Sequence, residues 1–121
     1  MLLNTPSGTV NLDTGKVYKQ DRNDRLTNMT NVEYDPKATC DDTRDFLHQI
    51  QPDQSLFDYL VVSLGYGALS GLTCEHVMWY LYGRGLNGKS TLTNNVAQVL
   101  GTYAHDAPQG LLRAEGPPVP G

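Results

Sequence analysis

The residues most able to do chemistry in this 121-residue chain stand together at positions 83 to 90, Gly-Arg-Gly-Leu-Asn-Gly-Lys-Ser. They satisfy the pattern G-x-x-x-x-G-K-[ST], which suits a loop that cradles a phosphate group. Gly83, Gly85 and Gly88 allow backbone angles that turn successive N–H groups inward around an anion, with no Cβ in the way. A helix starting at about Lys89 would add its unpaired amides and the positive end of its dipole. Lys89 would then reach the β- and γ-phosphates of a nucleotide, and the Ser90 hydroxyl would bind Mg²⁺. Thr91 is placed either to help hold the α-phosphate or to cap the first turn. ATP with Mg²⁺ is therefore the expected ligand pair. Gly83, Arg84, Gly85, Leu86, Asn87, Gly88, Lys89, Ser90 and Thr91 form the candidate binding set, with Ser90 the candidate metal ligand and no residue assigned to catalysis. The plain alternative is a glycine-rich turn with an incidental lysine, and the flanking elements argue against it.

Those flanks supply the setting such a loop requires. Val77-Met78-Trp79-Tyr80-Leu81-Tyr82 is a continuous apolar and aromatic run between Glu75-His76 and Gly83. The run predicts a strand buried on both faces, as in a parallel sheet, with Trp79 and the tyrosines serving as packing rather than as a base-stacking platform. After the loop, Leu92, Val96, Val99 and Leu100 make a helical stripe, and Gly101 is a suitable residue to end it. Strand, loop and helix follow in the order the mechanism needs.

Upstream, two more helices are expected. Asp41 or Asp42 would cap the first, with Phe46, Leu47 and Ile50 as its apolar face. Asp53 or Ser55 would cap the second, which carries Leu56, Tyr59, Leu60, Leu64 and Leu69 at helical spacing. Gly65, Gly67 and Gly71 weaken its end and predict a stop near Gly71. The acidic cluster Asp41, Asp42 and Asp45 reads as a solvated helix start that complements the dipole, in preference to a metal site. The chain opens with turn chemistry at Pro6-Ser7-Gly8 and Asp13-Thr14-Gly15, and Val10, Leu12 and Val17 fit a β-hairpin between and after those turns. Residues 19–31 are polar and predict an irregular connection, and Val32-Glu33-Tyr34 a short extended piece before Asp35-Pro36.

Composition narrows the class. Hydrophobic residues make up 39%, low for a compact fold but too high for a wholly disordered chain. A net charge of −4 argues against a surface that coats nucleic acid generally. No apolar run approaches the roughly 20 residues of a membrane span, and a secretion-type leader is not visible, so a soluble, cytoplasmic protein is expected. Cys40 and Cys74 stand apart, and His48, His76 and His105 are scattered, so a zinc site is not expected and both thiols should be free.

The segments "NTPSGTVNLDTGKV" (4–17), "YDPKATC" (34–40), "LVVSLGYGALSGLTCEHVMWYLYGRGLNGKST" (60–91) and "LGTYA" (100–104) are collinear with a known pattern. Over residues 2 to 112 the chain resembles the phage- and plasmid-encoded DNA primase–helicases, whose motor is a superfamily 3 helicase domain of AAA+-like fold. The opening hairpin is more diagnostic of that family than the phosphate-binding loop, which many ATPases share. The resemblance implies a mixed α/β fold: an N-terminal β-hairpin plus helices, then the first strand–P-loop–helix unit of a truncated AAA+-like domain. It divides the chain into a hairpin and irregular segment (1–40), a helical segment preceding the motor (41–72), a P-loop NTPase segment (76–112) and a disordered tail (113–121). It also implies nucleotide contacts from Gly83, Gly85, Asn87, Gly88, Lys89, Ser90 and Thr91, and an assembled, homo-oligomeric ring that hydrolyses ATP to unwind DNA. Arg84 departs from the small residue or proline usual at its position, and is expected to face solvent.

The resemblance also implies features this sequence lacks. After Thr91 the acids are Asp106 and Glu115, neither ending an apolar strand, and Arg113 is the one arginine. An acidic pair that orients water, a polar sensor and an arginine finger are therefore not visible. The expectation is a truncated segment that grips ATP without hydrolysing it alone. A non-catalytic prophage remnant, or a binding module that pairs with helicase subunits, is the alternative. A small kinase is disfavoured because no room remains for a lid.

Overall fold

A computed structural model describes residues 1–70, 75–108 and 110–111. The expected helix stop at Gly71, the Cys74 thiol, and the tail with Arg113 and Glu115 lie outside the described residues.

The opening segment folds as three strands: β1 (Leu2–Thr5), β2 (Gly8–Asn11) and β3 (Lys16–Tyr18) form an antiparallel sheet in the order β1-β2-β3. The expected hairpin is thus extended to a meander, because both predicted turns close. Thr5 pairs with Gly8 across Pro6-Ser7, and Asn11 pairs with Lys16 across the second turn. The Thr5 hydroxyl donates to the Gly8 carbonyl at 2.8 Å, and the Asn11 side chain accepts from the Asp13 amide at 2.9 Å. Such local side-chain bonds fix turns without help from a large core. Val10, Thr5 and Thr9 are buried, so two of these three interior side chains carry hydroxyls.

Residues 28–31 run as a strap that joins this sheet to the far end of the chain. The Thr30 amide donates to the Asn4 carbonyl at 3.0 Å, while the Asn4 amide donates to the Tyr103 hydroxyl at 3.1 Å. Both outward-facing groups of Asn4 on edge strand β1 are thereby satisfied, which blunts the edge against further pairing. Residues 32–34, expected to be extended, form a bend and irregular chain instead. The β1 edge of the sheet is already taken by this strap.

Helices α1 (Asp41–Ile50) and α2 (Gln54–Ser63) follow, and α3 (Lys89–Leu100) comes after the glycine-rich loop. Leu47, Phe57 and Leu92, one from each helix, are buried together, with Phe46, Ile50, Leu60, Leu64 and Val96 packed around them. Each such side chain contributes roughly 1.5–3 kcal/mol when fully buried. The predicted face of α1 is therefore correct. On α2 the inward residue is Phe57, while Leu56 and Tyr59 are exposed. The ring of Phe57 stacks on His48 of α1 at 3.8 Å, and that pairing sets the rotation of α2. Past Ser63 the backbone continues as a π-helical turn, Leu64–Ser70. On α3, Leu92 and Leu100 are buried and Val99 is exposed. The helix ends at Gly101, as expected, where the Asn31 side chain donates to the Gln98 carbonyl at 2.9 Å and the Asn31 amide to the Val99 carbonyl at 3.1 Å.

The helix starts differ in how they are closed. α1 begins after Cys40, whose side chain makes no capping bond to the helix, and Asp41 and Asp42 lie inside its first turn. Asp41 or Asp42 was the expected cap; one and two positions past the observed cap, they complement the dipole instead. α2 is capped by Asp53, which accepts from the Ser55 and Leu56 amides at 3.0 and 3.1 Å and from the Ser55 hydroxyl at 2.6 Å. The Ser55 hydroxyl foremost, then the Leu56 amide, hold the Asp53 carboxyl below its ordinary pKa. A folded-state pKa below the unfolded one contributes stability that is complete above the unfolded value and lost as pH falls through the folded value. Asp53→Ala is accordingly expected to lower the melting temperature at neutral pH and to converge on wild type in acid. Circular dichroism melts across that range check it, and an equal deficit at every pH contradicts it.

Candidate functional site

The loop at 83–90 is built by three residues with positive φ: Gly85 at 100°, Leu86 at 50° and Gly88 at 79°. Gly88 is also the N-cap of α3, and no side chain caps that helix. The Leu92 amide closes the first helical bond to the Gly88 carbonyl at 2.9 Å, so the amides before it are the unpaired donors of a helix start. A Cβ at Gly88 would lie 2.5 Å from Ile50 Cγ2 and 3.3 Å from the Phe46 ring. The loop thus docks directly on the apolar face of α1. That contact, rather than local propensity, fixes where the loop turns into the helix.

Lys89 is half-buried, and its ammonium donates to the Gly83 carbonyl at 3.2 Å and to the Asn87 side-chain oxygen. The lysine at the loop's end therefore bonds back to its first residue and closes the loop on itself. Ser90 and Thr91 are exposed in the first turn of α3, and Arg84 is exposed without an ion pair among the described residues. Leu86 is fully exposed at the loop's tip. Beside the loop lies a cleft of about 330 Å³, bounded by Ile50 of α1 and Gln51 at its C-cap, Leu60 of α2, the 80–82 segment, Asn87, Lys89 and Leu92.

The sequence pattern thus brings Gly83, Asn87, Gly88 and Lys89 together, and leaves Arg84 and Leu86 outward. Of the other residues that line the cleft, Ile50 was expected on a helix face and Tyr80 and Tyr82 in strand packing, while Gln51 carried no expectation. Nothing in the spacing of α1 signals that its C-terminal turn meets the loop.

The run that enters the loop departs from expectation. Residues 77–82 carry no regular secondary structure and form no strand among the described residues, and all six side chains are exposed, Tyr80 and Tyr82 by 80% and 82%. A strand needs a hydrogen-bonding neighbour, and the described residues offer it none. Trp79 does pack, with its ring against Gly67 in the π-helical turn and edge-on to Tyr66. The two tyrosine rings lie 6.5 Å apart beside the cleft. Among the described residues no group of three or more His, Cys, Asp or Glu is arranged to hold a metal, and no helix is long and apolar enough to cross a membrane.

Fold and loop together define a class: a mixed α/β chain whose small antiparallel sheet and helical core position a glycine-rich, lysine-bearing loop at a helix start. Comparison with known proteins points the same way. Residues 1–52 match the family described as "D5 N terminal like". The chain is also similar to "Putative helicase L207/L206" of Acanthamoeba polyphaga mimivirus, 31% identical over 104 residues that cover 83% of this chain and 11% of the relative. No solved structure matches. Together these two matches support a phage and viral primase–helicase family, in its N-terminal region. It spans 11% of the length of the curated relative it matches.

Proposed function

We propose that the loop at 83–90 is a P-loop that holds ATP–Mg²⁺, within a protein whose complete form is an ATP-driven helicase acting in intracellular DNA replication. The observation that carries this reading is the arrangement at α3: an ammonium, Lys89, at the mouth of a loop that ends on a helix start no side chain caps. A phosphate group would meet that ammonium and the free amides together, and both favour an anion. The residues present fit the nucleotide on chemical grounds. Lys89 supplies the charge, the amides of 89–91 supply donors, and the exposed Ser90 hydroxyl supplies an oxygen ligand suited to Mg²⁺. The family supports DNA as the macromolecular partner and a homo-oligomeric ring as the working form.

Ser90→Ala tests the metal assignment. With a fluorescent ATP analogue, wild type is expected to bind more tightly when Mg²⁺ is present, and Ser90→Ala to lose most of that gain. An unchanged Mg²⁺ dependence removes Ser90 from the metal site. The exposed run at 77–82 favours a second reading, a binding module that pairs with helicase subunits. That reading needs no nucleotide, so the same titration separates the two.

A further inference from the structure

We propose that Asn87 is a positioning residue that aims the Lys89 ammonium at a phosphate oxyanion, and that Gly83 is glycine so that the Asn87 side chain can cross the loop. The proposal rests on reading this loop as a phosphate site. An ammonium has three N–H donors. Lys89 directs one to the Gly83 carbonyl and one to the Asn87 side-chain oxygen, and the third has no partner among the described residues. Two anchored donors fix the direction of the third, and they do so before any ligand arrives. Lys89 lines the cleft beside Asn87, Tyr80 and Tyr82, where there is room for a bound group.

Asn87 holds the lysine from a neutral amide. A carboxylate at the same place would hold it as firmly and cancel the charge that a phosphate needs. The side chain also sets the limit on position 83. A Cβ there would fall 1.9 Å from Asn87 Nδ2 and 3.0 Å from Lys89 Nζ, so a larger residue would push the Asn87 amide out of this bridge. Gly83 therefore serves close approach, since its φ is not in the left-handed region.

Equilibrium binding of ATP–Mg²⁺ and of inorganic tripolyphosphate to wild type, Lys89→Ala, Asn87→Ala and Asn87→Asp tests this. Nitrogen NMR of the Lys89 ammonium in each folded variant runs alongside. Asn87→Ala is expected to weaken both ligands roughly tenfold, the effect of one lost charge-assisted bond. Asn87→Asp, which matches asparagine in shape, is expected to weaken them further, while the Lys89 ammonium signal moves in both variants. Asn87 is exposed, so neither change should unfold the chain, and the isosteric Asp variant guards against that. Binding that depends on Lys89 but is the same in wild type and both Asn87 variants overturns this inference alone. Wild type that binds neither ligand, or binds them as well as Lys89→Ala does, overturns the phosphate reading and this inference with it.

Discussion

Lys89→Ala is expected to weaken ATP–Mg²⁺ binding by roughly 30- to 150-fold, the equivalent of about 2–3 kcal/mol. The figure follows from what the side chain does. A hydrogen bond to a charged group contributes about 1.5–3 kcal/mol when desolvated, and the half-buried ammonium is the cation anchored at the mouth of the loop. The chain should still fold. The substitution leaves the Asn87 side chain at an exposed position where water replaces the lysine, and alanine favours the helix start it would occupy. Parallel circular dichroism spectra would confirm that the loss lies in binding. A variant that binds as tightly as wild type would leave the loop as an ordinary glycine-rich turn.

Gly88→Ala is expected to be the most destabilising single-methyl change at the site. Two penalties fall on one atom. At φ 79° an alanine sits in the left-handed region, at a cost of about 1–2 kcal/mol. Its Cβ would also stand 2.5 Å from Ile50 Cγ2 and close to Phe46, and overpacking of this kind costs about 1–3 kcal/mol. The sum, about 2–5 kcal/mol, is a large part of what a chain this size has in hand. The melting temperature should drop by roughly 10 °C or more. Because the clash lies between loop and α1, Gly88→Ala combined with Ile50→Ala should cost less than the sum of the two single losses, since the methyl the new atom meets is gone. A melting temperature unchanged by Gly88→Ala would mean that the loop does not rest on α1.

How much of this was legible in the sequence depends on the range of the interactions. The turns at Pro6-Ser7-Gly8 and Asp13-Thr14-Gly15, the Asp53 cap and the stop at Gly101 were readable because each is closed by residues within a few positions. The apolar face of α1 was readable because helical spacing alone puts Phe46, Leu47 and Ile50 together. Phe57 was missed because its burial depends on stacking against His48 of another helix, which periodicity within α2 does not encode. Residues 77–82 were misjudged for a related reason. An apolar run announces a strand, but whether it becomes one is decided by neighbours elsewhere in the chain, and the described residues supply none. At the candidate site, the pattern named the residues of the loop. The closure of Lys89 on Gly83 and Asn87, and the seat of Gly88 on α1, emerged only from the fold. The strap joining Asn4, Thr30 and Tyr103 was equally hidden, since it links positions at opposite ends of the chain through single polar bonds.

The central claim is that this loop grips ATP through Lys89, and a calorimetric titration of the 121-residue chain with ATP–Mg²⁺ tests it most directly. The account predicts saturable binding of one nucleotide per chain in wild type, lost over the same concentration range in Lys89→Ala. A wild-type titration without saturable heat, or two isotherms that superimpose, would contradict it.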